Sequence, residues 1–349
     1  MIEVLITNDS PAVRDYLYHI LSADPALSVV GVVKNGQEAI TFVQWHRPDV
    51  VVMDIVMPYM DGFEATRRIM ETVPVPVVIV SGSSGPEETI KTFRALEAGA
   101  LAVVKTPPGL SAPDATQAAK TLVDMVKLMS EVKVVRRWPR VHQAETLLSA
   151  GPQVRPRHPS GGIDLVAIGA STGGPAVLHT ILSGLAKDLP VPLCIVQHIA
   201  PGFLPGMVAW LGQATGFPTR AATHGEPFLP GHAYLAPDGF HMGVSRDGRI
   251  ILSHEAPEDG QRPAVSYLFR SVAQGFGARA VGVLLTGMGR DGATALKYMK
   301  DQGAVTIVQD RDSAVVHGMA GEALRLDAAT YVLPPQEIAA ALTQLVNNP

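Results

Sequence analysis

Short apolar runs recur along this chain, and each is followed by a helix-length segment with apolar residues at three- and four-residue spacing. Val4–Ile6 precedes a helical pattern over Ala12–Ser22, and Val29–Val33 precedes one over Gln37–His46. Val50–Met53 precedes Gly62–Glu71, Val77–Val80 precedes Glu87–Ala98, and Ala102–Val104 precedes a pattern that begins near Ala115. Continuous valine and isoleucine runs suit strands buried on both faces, and parallel neighbours joined by crossover helices supply that burial. The first 130 residues therefore predict a doubly wound parallel sheet of the flavodoxin-like kind.

In such a sheet, chemistry gathers where strands end at their carboxyl edge. The predicted strand ends carry Asn8 and Asp9, then Asp54, then Ser81, then Lys105. Two carboxylates, a hydroxyl and an ammonium thus converge. Hard oxygen donors of this type suit Mg²⁺ with retained waters. A carboxylate beside a metal and a lysine can accept a phosphoryl group, because both cations neutralise the developing charge. The plainer alternative is that the Asp and Ser side chains only cap the following helices.

The acidic pair position, the Asp54-Ile-Val-Met-Pro-Tyr-Met-Asp61-Gly62 segment, Ser81, and Lys105 followed by Pro107 resemble a two-component receiver domain. The resemblance implies that Asp54 is the phospho-acceptor and that Ser81 and Lys105 sense the phosphate. It also implies that Asp9, Asp54 and the Val56 carbonyl hold Mg²⁺. The first acidic position departs from the pattern: it is Asn8, whose carbonyl oxygen is expected to hold a metal-bound water, in a site one negative charge short.

Periodicity fades after Val141, and Gly151–Gly162 is rich in Pro, Gly and Arg, which is a linker composition. Residues 131–162 are read as the linker between a receiver over 1–130 and a second domain over 163–349. Arg136, Arg137 and Arg140 read as a solvated joining face.

The strand–helix rhythm then resumes. Leu165–Ile168 runs into Gly169-Ala-Ser-Thr-Gly-Gly174, and Pro175 opens a helix. Ser171 thus sits on a tight strand-to-helix turn, beside backbone N–H groups that a helix start leaves unpaired. The Gly-x-Ser-x-Gly spelling fits a nucleophile elbow, but a phosphate-binding turn or a capping serine fits it too. Leu193–Gln197 is a second buried strand ending at His198, and Val281–Leu285 a third, ending in Thr286-Gly-Met-Gly-Arg-Asp-Gly292. Runs over His232–Pro237, Phe240–Val244 and Arg249–Ser253 read as strands with turns between them. A Rossmann-like three-layer domain with a β-hairpin insertion follows, with Ser171, His198 and Asp291 on one edge. An imidazole can take the serine proton, and a carboxylate can fix the imidazole tautomer. The order Ser…His…Asp differs from the Ser…Asp…His of α/β-hydrolases, so the spelling does not import that fold.

Several segments of residues 163 to about 347 resemble the catalytic domain of the CheB family, the chemotaxis protein-glutamate methylesterases. They are Ile168–Pro175, Gln197-His198 with Pro201-Gly-Phe203, Ala236-Pro237, Arg262-Pro263, Leu285–Gly292, and Gly318-Met319. The resemblance implies that Ser171 is the nucleophile, His198 the base and Asp291 the orienting acid. It implies that the Met288 N–H binds the oxyanion and that Thr172 lines the site. Hydrolysis of glutamate methyl esters on methyl-accepting chemoreceptors, deamidation of selected glutamines there, and activation by a histidine kinase are expected. Mg²⁺ belongs to the receiver, with no cofactor for ester hydrolysis. Ile199-Ala200 and Ala320 depart from the family's usual Met-Pro and Pro, and both departures are expected to alter the substrate rim without touching the triad.

The remaining properties exclude other classes. A net charge of −4 and a pI near 6.3 leave no electrostatic footprint for nucleic acid, and no basic recognition helix is evident. No apolar run approaches the ~18 residues needed to span a bilayer, Met1–Ile6 reads as a strand and not a leader, and a lone Cys194 suits a reducing cytoplasm. The rival readings are a DNA-binding output domain, and a regulator whose second domain binds receptors without catalysis.

Overall fold

The central strands of the computed structural model, β3 and β4 in one sheet and β6, β7, β12 and β13 in another, bury every side chain. The structure describes residues 1–82, 86–109, 112–113, 115–134 and 162–347. The chain divides into two units, Met1–Glu145 and Thr146–Pro349. The greater part of the stretch read as a linker, with Arg136, Arg137 and Arg140, lies outside the described residues.

In the first unit the elements run β1 (Ile2–Thr7), α1 (Pro11–Ser22), β2 (Leu27–Val33), α2 (Gly36–His46) and β3 (Val50–Met53). They continue as α3 (Gly62–Thr72), β4 (Val77–Ser81), α4 (Pro86–Ala98), β5 (Ala102–Lys105) and α5 (Ala115–Ser130). The sheet order is β2-β1-β3-β4-β5, with every neighbour parallel. All four residues of β3 have 0% exposure, and each buried valine contributes about 1.5–3 kcal/mol of transfer free energy. Helix starts are set by local side chains. Ser10 accepts from the Val13 N–H, Asn35 from the Glu38 N–H and Asp61 from the Glu64 N–H.

The chain steps from β1 to β2 on one side and then returns to β3 on the other, so the switch point lies between β1 and β3. The register pairs Thr7 with Met53, and the next residues, Asn8 and Asp54, leave the sheet side by side.

In the second unit the order is β6 (Leu165–Ala170), α6 (Gly174–Gly184), β7 (Leu193–Gln197), α7 (Leu204–Thr215), β8 (Thr219–Ala221), β9 (Ala233–Leu235), β10 (His241–Val244) and β11 (Ile250–Ser253). Then come α8 (Val265–Phe276), β12 (Ala280–Leu284), α9 (Ala293–Asp301), β13 (Val305–Gln309), α10 (Met319–Arg325), β14 (Tyr331–Leu333) and α11 (Pro335–Asn347). The main sheet runs β14-β13-β12-β6-β7-β9-β8, all parallel. The hairpin β10–β11 forms a separate antiparallel pair that packs on α8. Of the three strand runs expected between 232 and 253, the first joins the main sheet and only the other two make the hairpin. The edge strands β8 and β14 escape pattern reading. Each has three residues and no alternation, and each is ordered by the backbone groups its neighbour offers. The second switch point falls between β12 and β6, where Ser171 leaves the sheet.

One glycine shows how tightly the first unit is drawn together at its carboxyl edge. Gly62 donates its N–H to the Ile55 carbonyl at 2.9 Å, and a Cβ built there would sit 2.0 Å from the Asp54 carbonyl oxygen. Backbone cannot yield as a side chain does. Gly62→Ala is therefore expected to destabilise the protein by about 1–3 kcal/mol, read as a lower urea midpoint for the first unit's transition. A change below about 0.5 kcal/mol, the range of ordinary surface substitutions, would show that the loop relaxes freely.

Candidate active site

The second unit's site is built from three strand ends. Ser171 follows β6 and is half-buried; its N–H donates to the Thr286 carbonyl at 3.0 Å. The start of α6 falls at Gly173, with no side-chain cap, so Ser171 is not a capping serine. His198 follows β7, which lies beside β6 with Ala170 opposite Gln197, and the His198 N–H donates to the Ala170 carbonyl at 2.9 Å. Asp291 comes from the loop after β12, on the other side of β6.

His198 Nε2 lies 2.9 Å from Asp291 Oδ2, with the two side chains 9% and 4% exposed. An ionised carboxylate has no hydrogen to give, so Nε2 carries the ring proton and Nδ1 is left as the basic nitrogen. The Ser171 hydroxyl forms no hydrogen bond to His198 among the described residues, a bond that in many hydrolases closes only with substrate.

Asp291 does not cap its own helix; α9 starts on Gly292 with no side-chain cap. Its carboxylate instead accepts from the Val265 N–H at 2.7 Å and the Ser266 N–H at 2.9 Å, the first turn of α8. Burial pushes this carboxyl up, but hydrogen bonds from His198 and Ser266 outweigh it, and the group stays below its ordinary value of 3.8. A depressed folded value means that Asp291 stabilises the fold above the unfolded carboxylate range. That contribution is lost as pH falls through the folded value.

The loop after β12 is fastened from several sides. The Thr286 hydroxyl donates to the Thr172 carbonyl at 2.9 Å, and the Thr286 N–H donates to Gln309 Oε1 at 2.8 Å. The Gly287 N–H reaches the Val316 carbonyl at 2.9 Å, and the Gly318 and Met319 N–H groups both reach the Gly287 carbonyl. Met288 projects from this loop with 53% exposure, and it follows Gly287, where a built Cβ would stand 2.6 Å from Ser171 Cβ. Gln197, Thr286 and Gln309 are site-forming residues that pattern reading passes over. The signal for the two glutamines is available: each is a polar residue closing an apolar strand of the same sheet.

At the edge of the first unit, Asn8 Nδ2 donates to Asp54 Oδ2 at 2.7 Å, and Asn8 Oδ1 accepts from the Ser10 N–H at 2.9 Å. A backbone donor on one side and a carboxylate on the other allow only this orientation of the amide. The expectation that Asn8 turns its carbonyl oxygen to a metal-bound water thus meets a different arrangement, in which that oxygen holds the N–H of Ser10, the N-cap of α1, and the amino group offsets the Asp54 charge. Asp54 Oδ1 accepts from the Ile55 N–H at 2.6 Å. Asp9 is exposed, Val56 is 49% exposed, and Ser81 is buried opposite the exposed Lys105 in the β4–β5 register. Among the described residues no group of three or more His, Cys, Asp or Glu side chains is placed to hold a metal. The oxygens of Asp9 and Asp54 with the Val56 carbonyl are hard donors that fit Mg²⁺ when waters complete its shell. No described helix is long and apolar enough to cross a membrane.

Comparisons with known proteins follow this division. Residues 166–342 match the family of the CheB methylesterase, and residues 4–109 match the response regulator receiver domain. A "Protein-glutamate methylesterase/protein-glutamine glutaminase 1" of Syntrophus aciditrophicus is 51% identical, over 100% of this chain and 99% of its own. A "Protein-glutamate methylesterase/protein-glutamine glutaminase 4" of Geobacter metallireducens is 54% identical, over 99% of each chain. Among solved structures, the Thermotoga maritima CheB methylesterase catalytic domain is 34% identical. It covers 53% of this chain and 100% of its own, with a TM-score of 0.52.

The Asn8 arrangement has a measurable consequence. Asn8→Asp replaces the donor to Asp54 with a second carboxylate, so the metal-free protein should lose stability while Mg²⁺ binds more tightly. Unit charges ~4 Å apart at an effective dielectric of ~20 interact by about 4 kcal/mol, most of it offset by desolvation and repulsion. The net expectation is about tenfold tighter Mg²⁺ binding, or roughly 1–2 kcal/mol, by calorimetric titration. Dissociation constants equal within about twofold would refute it.

Proposed function

This chain belongs to the CheB methylesterase family, and from that premise we propose that it is a phosphorylation-activated protein-glutamate methylesterase and protein-glutamine glutaminase. The observation that carries the catalytic half is the 2.9 Å bond from His198 Nε2 to Asp291 Oδ2 at the strand ends flanking Ser171.

In the proposed reaction Ser171 Oγ attacks the γ-ester carbonyl carbon of a glutamate side chain. His198 Nδ1 takes the hydroxyl proton, and Asp291, ionised at neutral pH, stabilises the imidazolium. The carbonyl oxygen becomes an oxyanion that the Met288 N–H receives, with Thr172 lining the site. When the carbon–oxygen bond of the methoxy group breaks, His198 returns the proton and methanol leaves. Water then gives a proton to Nδ1 and attacks the acyl-serine, releasing the carboxylate and restoring Ser171. A glutamine substrate follows the same steps with ammonia as leaving group. No step is assigned to a cofactor.

The proposed regulation sits in the first unit. A chemotaxis-type histidine kinase supplies the phosphoryl group to Asp54, and Ser81 and Lys105 respond to it. Asp9, Asp54 and the Val56 carbonyl would hold Mg²⁺, which would supply charge neutralisation for the phosphoryl group. The substrates are methyl-accepting chemoreceptors, met in the cytoplasm.

Two outcomes test this. Ser171→Ala should abolish methanol release from methylated receptor membranes while unfolding as the parent does. Asp291→Asn should lower turnover by about three to four orders of magnitude yet stay above background, since oxyanion donors remain. A Ser171→Ala protein keeping more than about a tenth of parental turnover rules out the nucleophile assignment.

Phosphorylation of Asp54 by a small-molecule phosphodonor with Mg²⁺ should raise methanol release by about fivefold or more, the lower end of ordinary coupling energies. Residues 160–349 alone should exceed the unphosphorylated full chain. An isolated second unit that is folded but no more active than the full chain would remove the inhibitory role from the receiver.

A further inference from the structure

The carboxyl edge of the second unit is laced by side chains that take no part in proton transfer. Across the sheet from β13, the Thr286 N–H donates to Gln309 Oε1, the Ser171 N–H donates to the Thr286 carbonyl, and the Thr286 hydroxyl donates to the Thr172 carbonyl. The series ends on Gln197, the last residue of β7. Gln197 is 4% exposed, and its amino group spends both hydrogens on main-chain carbonyls. One goes to Ser171 at 2.8 Å and the other to His198 at 2.8 Å. A single buried amide thus grips the backbone of two residues that follow different strands.

The other half of that amide is anomalous. Gln197 Oε1 is buried and has no hydrogen-bond partner among the described residues. A buried carbonyl oxygen without a donor is destabilising, and native interiors rarely keep one. Nor is the space generous: a Cβ built on Gly174 would stand 2.2 Å from Oε1, so Gly174 in the helix start makes room for it. A methionine would fill a similar volume without the orphan oxygen. What distinguishes glutamine at this position is its pair of donors, and both are aimed at residues of the candidate site.

We propose that Gln197 is a positioning residue, holding the Ser171 turn in register with His198 so that Oγ can reach Nδ1. The proposal rests on the reading of Ser171 and His198 given above. Strand pairing already fixes the two backbones up to Ala170 and Gln197. Beyond that point the sheet ladder ends, and Gln197 extends the cross-strand tie to Ser171 while holding the carbonyl of its own neighbour His198. Misplacement of about 1 Å can lower an enzymatic rate by up to about a hundredfold.

The test compares Gln197→Met and Gln197→Glu in the full chain, with Ser171→Ala alongside, on methylated receptor membranes. Methionine removes the donors and the orphan oxygen; glutamate keeps the shape and the oxygen but replaces the donor group. Both should lower kcat about tenfold or more with KM within about twofold. The unfolding midpoint of Gln197→Met should lie no more than about 2 °C below the parent. A role in packing alone would lower stability and activity together. The proposal is overturned if either folded variant keeps kcat within about twofold of the parent, or if activity falls only in step with the unfolding midpoint. Should Gln197→Met fail to fold, Gln197→Glu decides the matter. An inactive Ser171→Ala beside a fully active Gln197→Met refutes the positioning role alone, whereas an active Ser171→Ala refutes the nucleophile reading beneath it.

Discussion

The Asp291 carboxylate is the point on which the second unit turns. It accepts two N–H groups from the first turn of α8 and faces the ring of His198. Those N–H groups have no intrahelical partner, and the N-terminal end of a helix favours negative charge. One carboxylate therefore satisfies a helix start, ties the loop after β12 to α8, and fixes a histidine tautomer. Structural and chemical demands coincide here: the contacts that hold the ionised form at neutral pH are the ones that keep the imidazole proton on Nε2.

The two units obey one topological rule and reach different chemistry through burial. In both, polar residues leave a parallel sheet beside a switch point, between β1 and β3 in one case and between β12 and β6 in the other. In the first unit Asp9 is exposed and Asp54 half-buried, and both can meet solvent, a cation or a small anion. In the second, Asp291 is 4% exposed and its carboxylate faces the imidazole of His198. An accessible carboxylate can accept a group; an enclosed one can only orient and polarise its neighbour.

Backbone placement past the last ladder bond is a separate problem, and side chains solve it. Thr286, Gln309 and Gln197 carry cross-strand hydrogen bonding onto the loops, where the sheet no longer can. Asn8 does similar work in the first unit by holding the N–H of Ser10, the N-cap of α1, with its oxygen and steadying Asp54 with its amino group. Apolar burial makes the sheets, while the site geometry depends on a few amide and hydroxyl groups set at their edges.

The long apolar runs and their helix-spaced partners determined two parallel α/β sheets, because strands buried on both faces leave a continuous pattern that no other class requires. They also determined that Ser171 and His198, and likewise Asp54, Ser81 and Lys105, stand at carboxyl ends, since each closes or directly follows such a run, with Asp291 in the loop after another. Local pattern could not reveal β8, β14 or the pairing of β9 with the main sheet, because three-residue strands are stabilised by a neighbour and not by their own periodicity. Nor could it show that Asp291 holds α8 instead of starting α9: donor and acceptor are 25 and 26 residues apart, and only folding brings them together. The same holds for Asn8, whose amide is oriented by Ser10 and by Asp54, 46 residues away, and for Gln197, whose two carbonyl partners follow different strands. Composition and spacing decide which groups reach an edge; tertiary structure alone decides which way each one points, because a hydrogen bond's direction depends on the partner that distant chain supplies.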